Sequence, residues 1–120
     1  MLLIWVVSSL PQPFPLNRVP FQDKGIHFVE YGVLAALLAH AIRATWREWR
    51  GYAVFLVAWT AATFWGLLDE IHQAYVPGRI ADSGDVLADA LGGALGALIY
   101  LAVSRARARA RAREAGLIPP

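Results

Sequence analysis

The sequence contains no cysteine among its 120 residues. Disulfide bridges and thiolate metal sites are therefore excluded, and the sequence carries no trace of its redox compartment. It also lacks the H-E-x-x-H spacing of zinc proteases and the G-x-S-x-G spacing of serine hydrolases. These absences leave an enzyme as the less favoured interpretation, and we assign no catalytic residue.

The long apolar segments of the chain lack polar stripes. The composition is 58% hydrophobic with a mean hydropathy of +0.45, against roughly 45–50% apolar residues in soluble domains. Residues 25–42, 52–68 and 86–103 approach the roughly 17–25 apolar residues that a membrane-spanning helix needs. Helices of a soluble bundle would each carry a polar face. The sequence thus predicts an all-α, polytopic membrane helical bundle.

The N-terminal segment MLLIWVVSSL is apolar but short, and the proline-rich stretch PQPFPLNRVP follows it. Prolines remove the backbone donors that would continue a helix. A signal peptide is disfavoured because a basic n-region and a small-residue cleavage site are both missing. We expect the outer half of a short or truncated first helix here, which gives about four transmembrane helices.

Basic residues are scarce on one predicted side of the membrane. Arginines follow the second predicted helix and, in a denser group, the fourth, so both helix ends should lie on the same side. By the positive-inside rule that side is the cytoplasm, and we predict a multi-pass protein of the cell membrane with both termini cytoplasmic. The basic residues left outside are Arg18, Lys24 and Arg79.

The C-terminal segment RARARARAR places an arginine at every second position. On a helix these side chains point all round the axis, so they form no single stripe for nucleic acid. We predict no nucleic-acid partner and instead expect contact with the anionic headgroups of the lipid bilayer. The predicted organisation is a transmembrane domain over residues 1–104 and a basic cytoplasmic tail over residues 105–120.

Titratable residues recur about two turns from the outer ends of three predicted helices, roughly 10 Å deep at 1.5 Å per residue. Charged groups at that depth should turn away from lipid and pair with one another. Lys24, His27, His72 and Arg79 are the expected partners of the acids. The predicted polar cluster comprises Asp23, Lys24, His27, Glu30, Tyr31, Asp69, Glu70, Gln73, Arg79, Asp85 and Asp89.

Glycines continue the face of Asp85 and Asp89 along the last predicted helix, and two of them form a G-x-x-x-G pair. Small residues let helix backbones approach closely within lipid. Such a pair serves an intramolecular contact about as often as a dimer, and we favour the intramolecular contact beside the acids. The predicted packing residues are Gly92, Gly93 and Gly96.

Two blocks of the sequence resemble the VanZ-like membrane proteins, a family named for a teicoplanin-resistance accessory protein. The blocks are DKGIHFVEYGVL and LLDEIHQAYVPGRIADSGDVLADALGGALG. Asp89 stands where the family pattern has asparagine, so a neutral amide is replaced by an acid. The resemblance implies a membrane protein of the bacterial cell envelope, in a family where some members reduce susceptibility to lipoglycopeptides.

Three functions stay open from the sequence. The favoured one is binding of an anionic or amphiphilic ligand at the outer leaflet, such as a lipid-linked or glycopeptide molecule, with Lys24 and Arg79 meeting its charge. The alternative is a non-catalytic scaffold in which the cluster only joins helices. A histidine and carboxylate enzyme acting on a lipid-linked substrate is less favoured. No cofactor and no bound metal are predicted.

Overall fold

A computed structural model describes residue 6, residues 22–77 and residues 82–119. The described residues form three α-helices and no strand: α1 is Gln22–Thr45, α2 is Gly51–Gln73 and α3 is Ser83–Glu114. All three are long and apolar enough to cross a membrane. This confirms the predicted all-α membrane bundle, and the predicted short first helix lies outside the described residues.

The start of α3 is set by Asp82, which has extended backbone angles and caps the helix. Its carboxylate accepts a hydrogen bond from the Gly84 N–H at 2.7 Å, satisfying one of the free donors of the first turn. By residue type, Asp82 and Ser83 are both good caps for this helix, and Asp82 takes that position.

The last helix continues well beyond its apolar part. Its 32 residues extend over about 48 Å at 1.5 Å per residue, whereas the hydrocarbon core of a bilayer is about 30 Å thick. The arginine-rich part of α3 is exposed along its length. The helix ends at Glu114, and Gly116 just beyond its cap residue has a φ of 69°, the left-handed conformation that closes many helices.

A short basic turn, residues 46–50, connects α1 to α2. Arg43 donates a hydrogen bond to the Trp49 carbonyl at 2.7 Å, and the rings of Trp46 and Trp49 stack with centroids 5.2 Å apart. Gly51 lies directly against the guanidinium of Arg105. The two arginine groups therefore meet at one end of the bundle, which we call the arginine end. The opposite end, where α3 begins at Asp82, is the acidic end.

Large apolar side chains cover the outer faces of the helices, among them Val29, Val33 and Leu37 on α1. The interior is built mainly from small residues such as Ala35, Ala58 and Ala97. A soluble protein rarely exposes so continuous an apolar surface, and small interior residues are typical of helices packed in lipid. Both features fit a bilayer environment.

Three glycines allow α1 and α3 to touch through their backbones, and we call Gly32, Gly92 and Gly96 the glycine seam. A methyl group added to Gly92 would overlap the Phe28 carbonyl, and one added to Gly96 would overlap the Gly32 carbonyl. Gly93 differs, because an added methyl group there would lie 3.5 Å from the side chain of Ala62 on α2, an ordinary contact. The G-x-x-x-G pair thus lies between two helices of the same chain.

Candidate functional site

Buried polar side chains from all three helices meet toward the acidic end of the bundle. Each is at most 5% exposed, although it lies in a helix that can cross a membrane. Helical spacing explains the convergence, because residues three or four apart share one face. We call this group the polar cluster: His27 and Tyr31 of α1, Asp69, Glu70 and Gln73 of α2, and Asp85 and Asp89 of α3.

His27 connects the three helices through its two ring nitrogens. Its Nδ1 lies 3.0 Å from Asp89 Oδ1, and its Nε2 lies 4.0 Å from Glu70 Oε1. The Asp89 side chain fits over Gly66, where an added methyl group would overlap it. An acid can be buried completely at position 89 because α2 offers no side chain opposite it and α1 offers a histidine.

Glu70 joins the end of α2 to the beginning of α3. Its Oε2 accepts a hydrogen bond from the backbone N–H of Asp82 at 2.9 Å. Backbone donors at a helix start have no partner within the helix, so this carboxylate serves a donor that α3 cannot satisfy itself. Nearby, Gln73 donates to Asp69 Oδ2 at 3.0 Å, one turn apart on the same face.

Lys24 closes the cluster at its rim. The ammonium group is 3.0 Å from Asp85 Oδ1 and also binds the carboxylate of Asp82. The Lys24 ammonium, together with the Gly84 N–H, holds the pKa of Asp82 below its ordinary range. Because Lys24 is about one third exposed and Asp82 is exposed, this contact marks the boundary between the cluster and the surroundings.

Several buried oxygens of the cluster have no hydrogen-bond partner within the part of the chain that the structure describes. They are the Tyr31 hydroxyl, Glu70 Oε1 and Asp89 Oδ2. Tyr31 is fully buried one turn after His27, and the two rings are parallel at 6.1 Å. Buried polar atoms are nearly always hydrogen-bonded in native proteins. Within the described residues, these three oxygens are therefore exceptions to that rule.

Three side chains of the cluster could hold a cation together. One donor atom each from His27, Glu70 and Asp85 lies within 4.8 Å of the other two. All three residues are buried, and each comes from a different helix. The sequence offers no metal-binding spacing on any single helix, so this arrangement is visible only once the helices are packed.

The structure brings most of the predicted site residues together. Glu30 is half-buried on the flank of α1, next to Tyr31, and His72 is half-buried on α2. Arg79 and the side chain of Asp23 lie outside what the structure describes. The converging residues are Lys24, His27, Tyr31, Asp69, Glu70, Gln73, Asp85 and Asp89.

Sequence reasoning missed two contacts of Asp82. The residue types make Asp82 one of two good helix caps beside Ser83, but they do not indicate that it contacts Lys24 or donates its backbone N–H to Glu70. The capping role of Asp82 could have indicated its contact with Glu70. A residue that caps α3 lies near the end of α2, because the connection between the two helices is short. The distance to Lys24 depends on how α1 packs against α3, which no local pattern specifies.

Comparison with known proteins identifies the family of the chain. The family model described as VanZ/LLP1 matches residues 3–104, which include α1, α2, the apolar part of α3 and the whole polar cluster. No curated protein and no solved structure matches the chain significantly. Because the family model covers most of the sequence, the chain belongs to the VanZ/LLP1 family of membrane proteins.

Proposed function

We propose that this VanZ-type membrane protein binds an amphiphilic molecule of the bacterial cell envelope, whose polar head the polar cluster recognises. The observation that carries the proposal is a set of buried oxygens that have no hydrogen-bond partner among the described residues: the Tyr31 hydroxyl, Glu70 Oε1 and Asp89 Oδ2. Leaving such a group unpaired costs roughly 1–3 kcal/mol. A ligand that supplies hydrogen-bond donors would recover that cost, and a cluster that only joins helices would not incur it.

The charges of the described residues favour one kind of polar head. The polar cluster contains four buried acids and one histidine, while Lys24 is already engaged by Asp82 and Asp85. Hydroxyl and amine groups, which donate hydrogen bonds, suit this excess of carboxylate oxygen. An anionic group on the same ligand would depend on Arg79. We therefore favour an amphiphile with donor groups over a purely anionic ligand.

The ligand would reach the cluster from the outer leaflet. The arginine end carries Arg43, Arg47 and Arg50 together with the arginines of α3. A cytoplasmic position for this end follows the positive-inside rule and places the acidic end outside. Lipid-linked cell-wall precursors and lipoglycopeptides are amphiphiles of this compartment, and reduced susceptibility to teicoplanin is the phenotype to examine.

The competing hypothesis is a scaffold, and it also has support. The contacts of His27 with Asp89, of Glu70 with the Asp82 N–H and of Lys24 with Asp85 tie three helices together. A purely structural cluster needs these contacts and no ligand. The two hypotheses differ over the Tyr31 hydroxyl, which makes no such contact within the described residues.

The substitution Tyr31→Phe separates the two hypotheses. It removes a hydroxyl that forms no hydrogen bond within the described chain, so the melting temperature in detergent should stay within a few degrees of the parent or rise. Affinity for teicoplanin, measured with the purified protein in lipid nanodiscs, should fall about 2–13-fold, as expected for one lost hydrogen bond of about 0.5–1.5 kcal/mol. Resistance in a host that expresses the variant should fall in parallel.

The matched control is His40→Gln, which alters an exposed residue of α1 that contacts the Tyr100 hydroxyl. It should bind teicoplanin like the parent. Equal affinity of Tyr31→Phe and the parent would contradict a role of the cluster in binding. If teicoplanin does not bind the parent at all, the lipoglycopeptide form of the proposal is wrong.

The orientation is tested separately by labelling single thiols. Since the parent has no cysteine, Ser83→Cys at the acidic end and Glu48→Cys at the arginine end each introduce one reactive group. An impermeant maleimide added to intact cells should label position 83 and leave position 48 unlabelled. The reverse pattern would place the cluster on the cytoplasmic side and exclude an outer-leaflet ligand.

A further inference from the structure

Three donor atoms from three helices converge inside the polar cluster. They belong to His27, Glu70 and Asp85 and lie within 4.8 Å of one another. We propose that His27, Glu70 and Asp85 bind a divalent transition-metal ion of the Zn²⁺ type. This inference goes beyond the proposed function, because the ion would bind the chain whether or not an amphiphile is present. It revises the sequence-based expectation of no bound metal.

Glu70 supplies the first argument. Its Oε2 is occupied by the backbone N–H of Asp82 at 2.9 Å, while its Oε1 has no hydrogen-bond partner within the described residues. The residue is only 4% exposed, and an isolated carboxylate oxygen is costly to bury. Coordination of a cation by Oε1 would account for this orphaned acceptor.

His27 supplies the second argument through its orientation. Its Nδ1 faces Asp89 Oδ1 at 3.0 Å, which turns Nε2 toward Glu70 Oε1 at 4.0 Å. Histidines that bind metals commonly donate their other ring N–H to a carboxylate, which fixes the tautomer and makes the free nitrogen more basic. Asp89 is therefore a positioning residue for His27 and not itself a ligand.

The third argument is that each of the three metal-donor residues contacts a further group that fixes its orientation. Asp89 orients His27, the Asp82 N–H orients Glu70, and the Lys24 ammonium lies 3.0 Å from Asp85 Oδ1. Donors around a tetrahedral ion at 2.0–2.2 Å are roughly 3.5 Å apart. The present spacing is within 4.8 Å, so modest side-chain rotations bring the three donors to coordination distance.

The ligand types and the local charge indicate which ion fits. One imidazole with two carboxylates suits Zn²⁺ and its neighbours, while Ca²⁺ and Mg²⁺ prefer oxygen alone. A doubly charged ion would also balance the buried acids, because a metal-binding imidazole is neutral and Lys24 at the rim is the cation in the contacts described. Three protein ligands leave the fourth tetrahedral position open to an oxygen from outside the chain.

The test is a calorimetric titration of Zn²⁺ into the untagged full-length protein in detergent, after treatment with a chelator and dialysis. The parent should bind one ion per chain. Glu70→Gln keeps the shape of the ligand, and its affinity should fall at least tenfold. Asp89→Asn should lose about 10–100-fold, the usual effect of altering the partner of a metal-binding histidine, while the helix content and the metal-free melting temperature stay near the parent's.

A second readout guards against loss of fold. Zn²⁺ should raise the melting temperature of the parent, because a ligand that binds only the native state stabilises it, and should leave that of Glu70→Gln unchanged. His40→Gln controls for adventitious binding to an exposed histidine and should titrate like the parent. If Glu70→Gln does not fold, Asp89→Asn decides the question.

The proposal is overturned if the parent binds no Zn²⁺, if both cluster variants bind Zn²⁺ like the parent, or if His40→Gln abolishes binding. These results are independent of the proposed amphiphile, since the titration contains none. A failed Zn²⁺ titration with intact teicoplanin binding would remove the metal site alone. Intact Zn²⁺ binding without teicoplanin binding would remove the proposed amphiphile alone.

Discussion

The polar cluster and the glycine seam join neighbouring parts of the same helices by opposite means. In the seam, α1 and α3 meet because Gly92 and Gly96 present no side chain, and the partners are backbone carbonyls of Phe28 and Gly32. In the cluster, one to two turns away along α3, the same helices meet through His27 and Asp89, whose polar atoms are 3.0 Å apart. The contact in the seam depends on glycines that have no side chain, and the contact in the cluster depends on buried titratable side chains.

The difference shows which of the two regions can have a function beyond folding. Backbone contact in the seam leaves no polar side chain to meet a ligand, and nearly any added atom disturbs it. The cluster is expensive to bury, since an acid near the centre of a membrane helix costs roughly 2.5–3.5 kcal/mol. It also retains oxygens such as Glu70 Oε1 without a hydrogen-bond partner in the described chain. Packing alone explains the seam, whereas it does not explain all of the cluster.

Removal of the acid at position 89 should produce the largest effect. Asp89→Leu leaves His27 Nδ1 without its partner in a completely buried site, and breaking a buried pair costs roughly 3–5 kcal/mol. Asp89→Asn keeps the shape and can still hydrogen-bond to the imidazole, so its stability should lie within about 1 kcal/mol of the parent. Thermal unfolding in detergent measures both variants.

The contrast between these two substitutions matters more than either alone. A leucine variant as stable as the parent would show that the His27–Asp89 contact does not hold the helices together. The cluster and the seam would then differ more than we infer, with the seam supplying the stability. An asparagine variant as unstable as the leucine variant would instead show that the charge itself is required for folding.

The seam should respond to a single methyl group. Gly92→Ala places a Cβ against the Phe28 carbonyl, which cannot rotate aside as a side chain can, and overpacking costs typically 1–3 kcal/mol. Gly93→Ala is the matched control on the same turn, since its Cβ would lie 3.5 Å from the Ala62 side chain. It should be neutral or stabilising by up to about 1 kcal/mol, because alanine favours a helix over glycine.

Both melting temperatures are measured in the same detergent. If Gly92→Ala and Gly93→Ala change stability equally, the backbone contact between α1 and α3 is looser than described. The contrast between a seam intolerant of added atoms and a cluster tolerant of neutral isosteres would then disappear.

How far these regions could be predicted from the sequence depends on what determines each of them. Apolar length predicts the helices, and their observed bounds extend only a few residues beyond residues 25–42 and 52–68. The last helix runs farther, to Glu114, because arginine and alanine both favour a helix. The depth of Asp89 follows from helical rise and is predictable in the same way.

Helix length and helical rise do not predict which cationic side chain pairs with which acid. The sequence suggests four cationic partners for the six acids of the predicted cluster, and only packing shows that His27 takes Asp89 while Lys24 takes Asp85 and, beside the cluster, Asp82. A rotation of α1 by one residue, about 100° at 3.6 residues per turn, would exchange these partners without changing any helix boundary. The glycines opposite Phe28 and Gly32 oppose such a rotation, so the seam determines the pairs of the cluster.

The smallest effect is expected at the rim, where Lys24 meets the exposed carboxylate of Asp82. Asp82→Asn preserves a good helix cap and removes only the charge, so any loss of stability at pH 7 reports the ion pair. The pKa of Asp82 is lowered in the folded protein, chiefly by Lys24. Its contribution is therefore fully present above the unfolded pKa of about 3.9 and is lost as the pH falls through the lower folded value.

The melting-temperature difference between the parent and Asp82→Asn should thus be small and positive at pH 7, and should shrink toward zero as the pH is lowered below about 4. Added salt at neutral pH should shrink it as well, because exposed charges are screened over about 3 Å at 1 M. A difference that persists in acid and in salt would have to arise from the cap or from packing. In that case the rim resembles the seam, where shape rather than charge holds α3 in place.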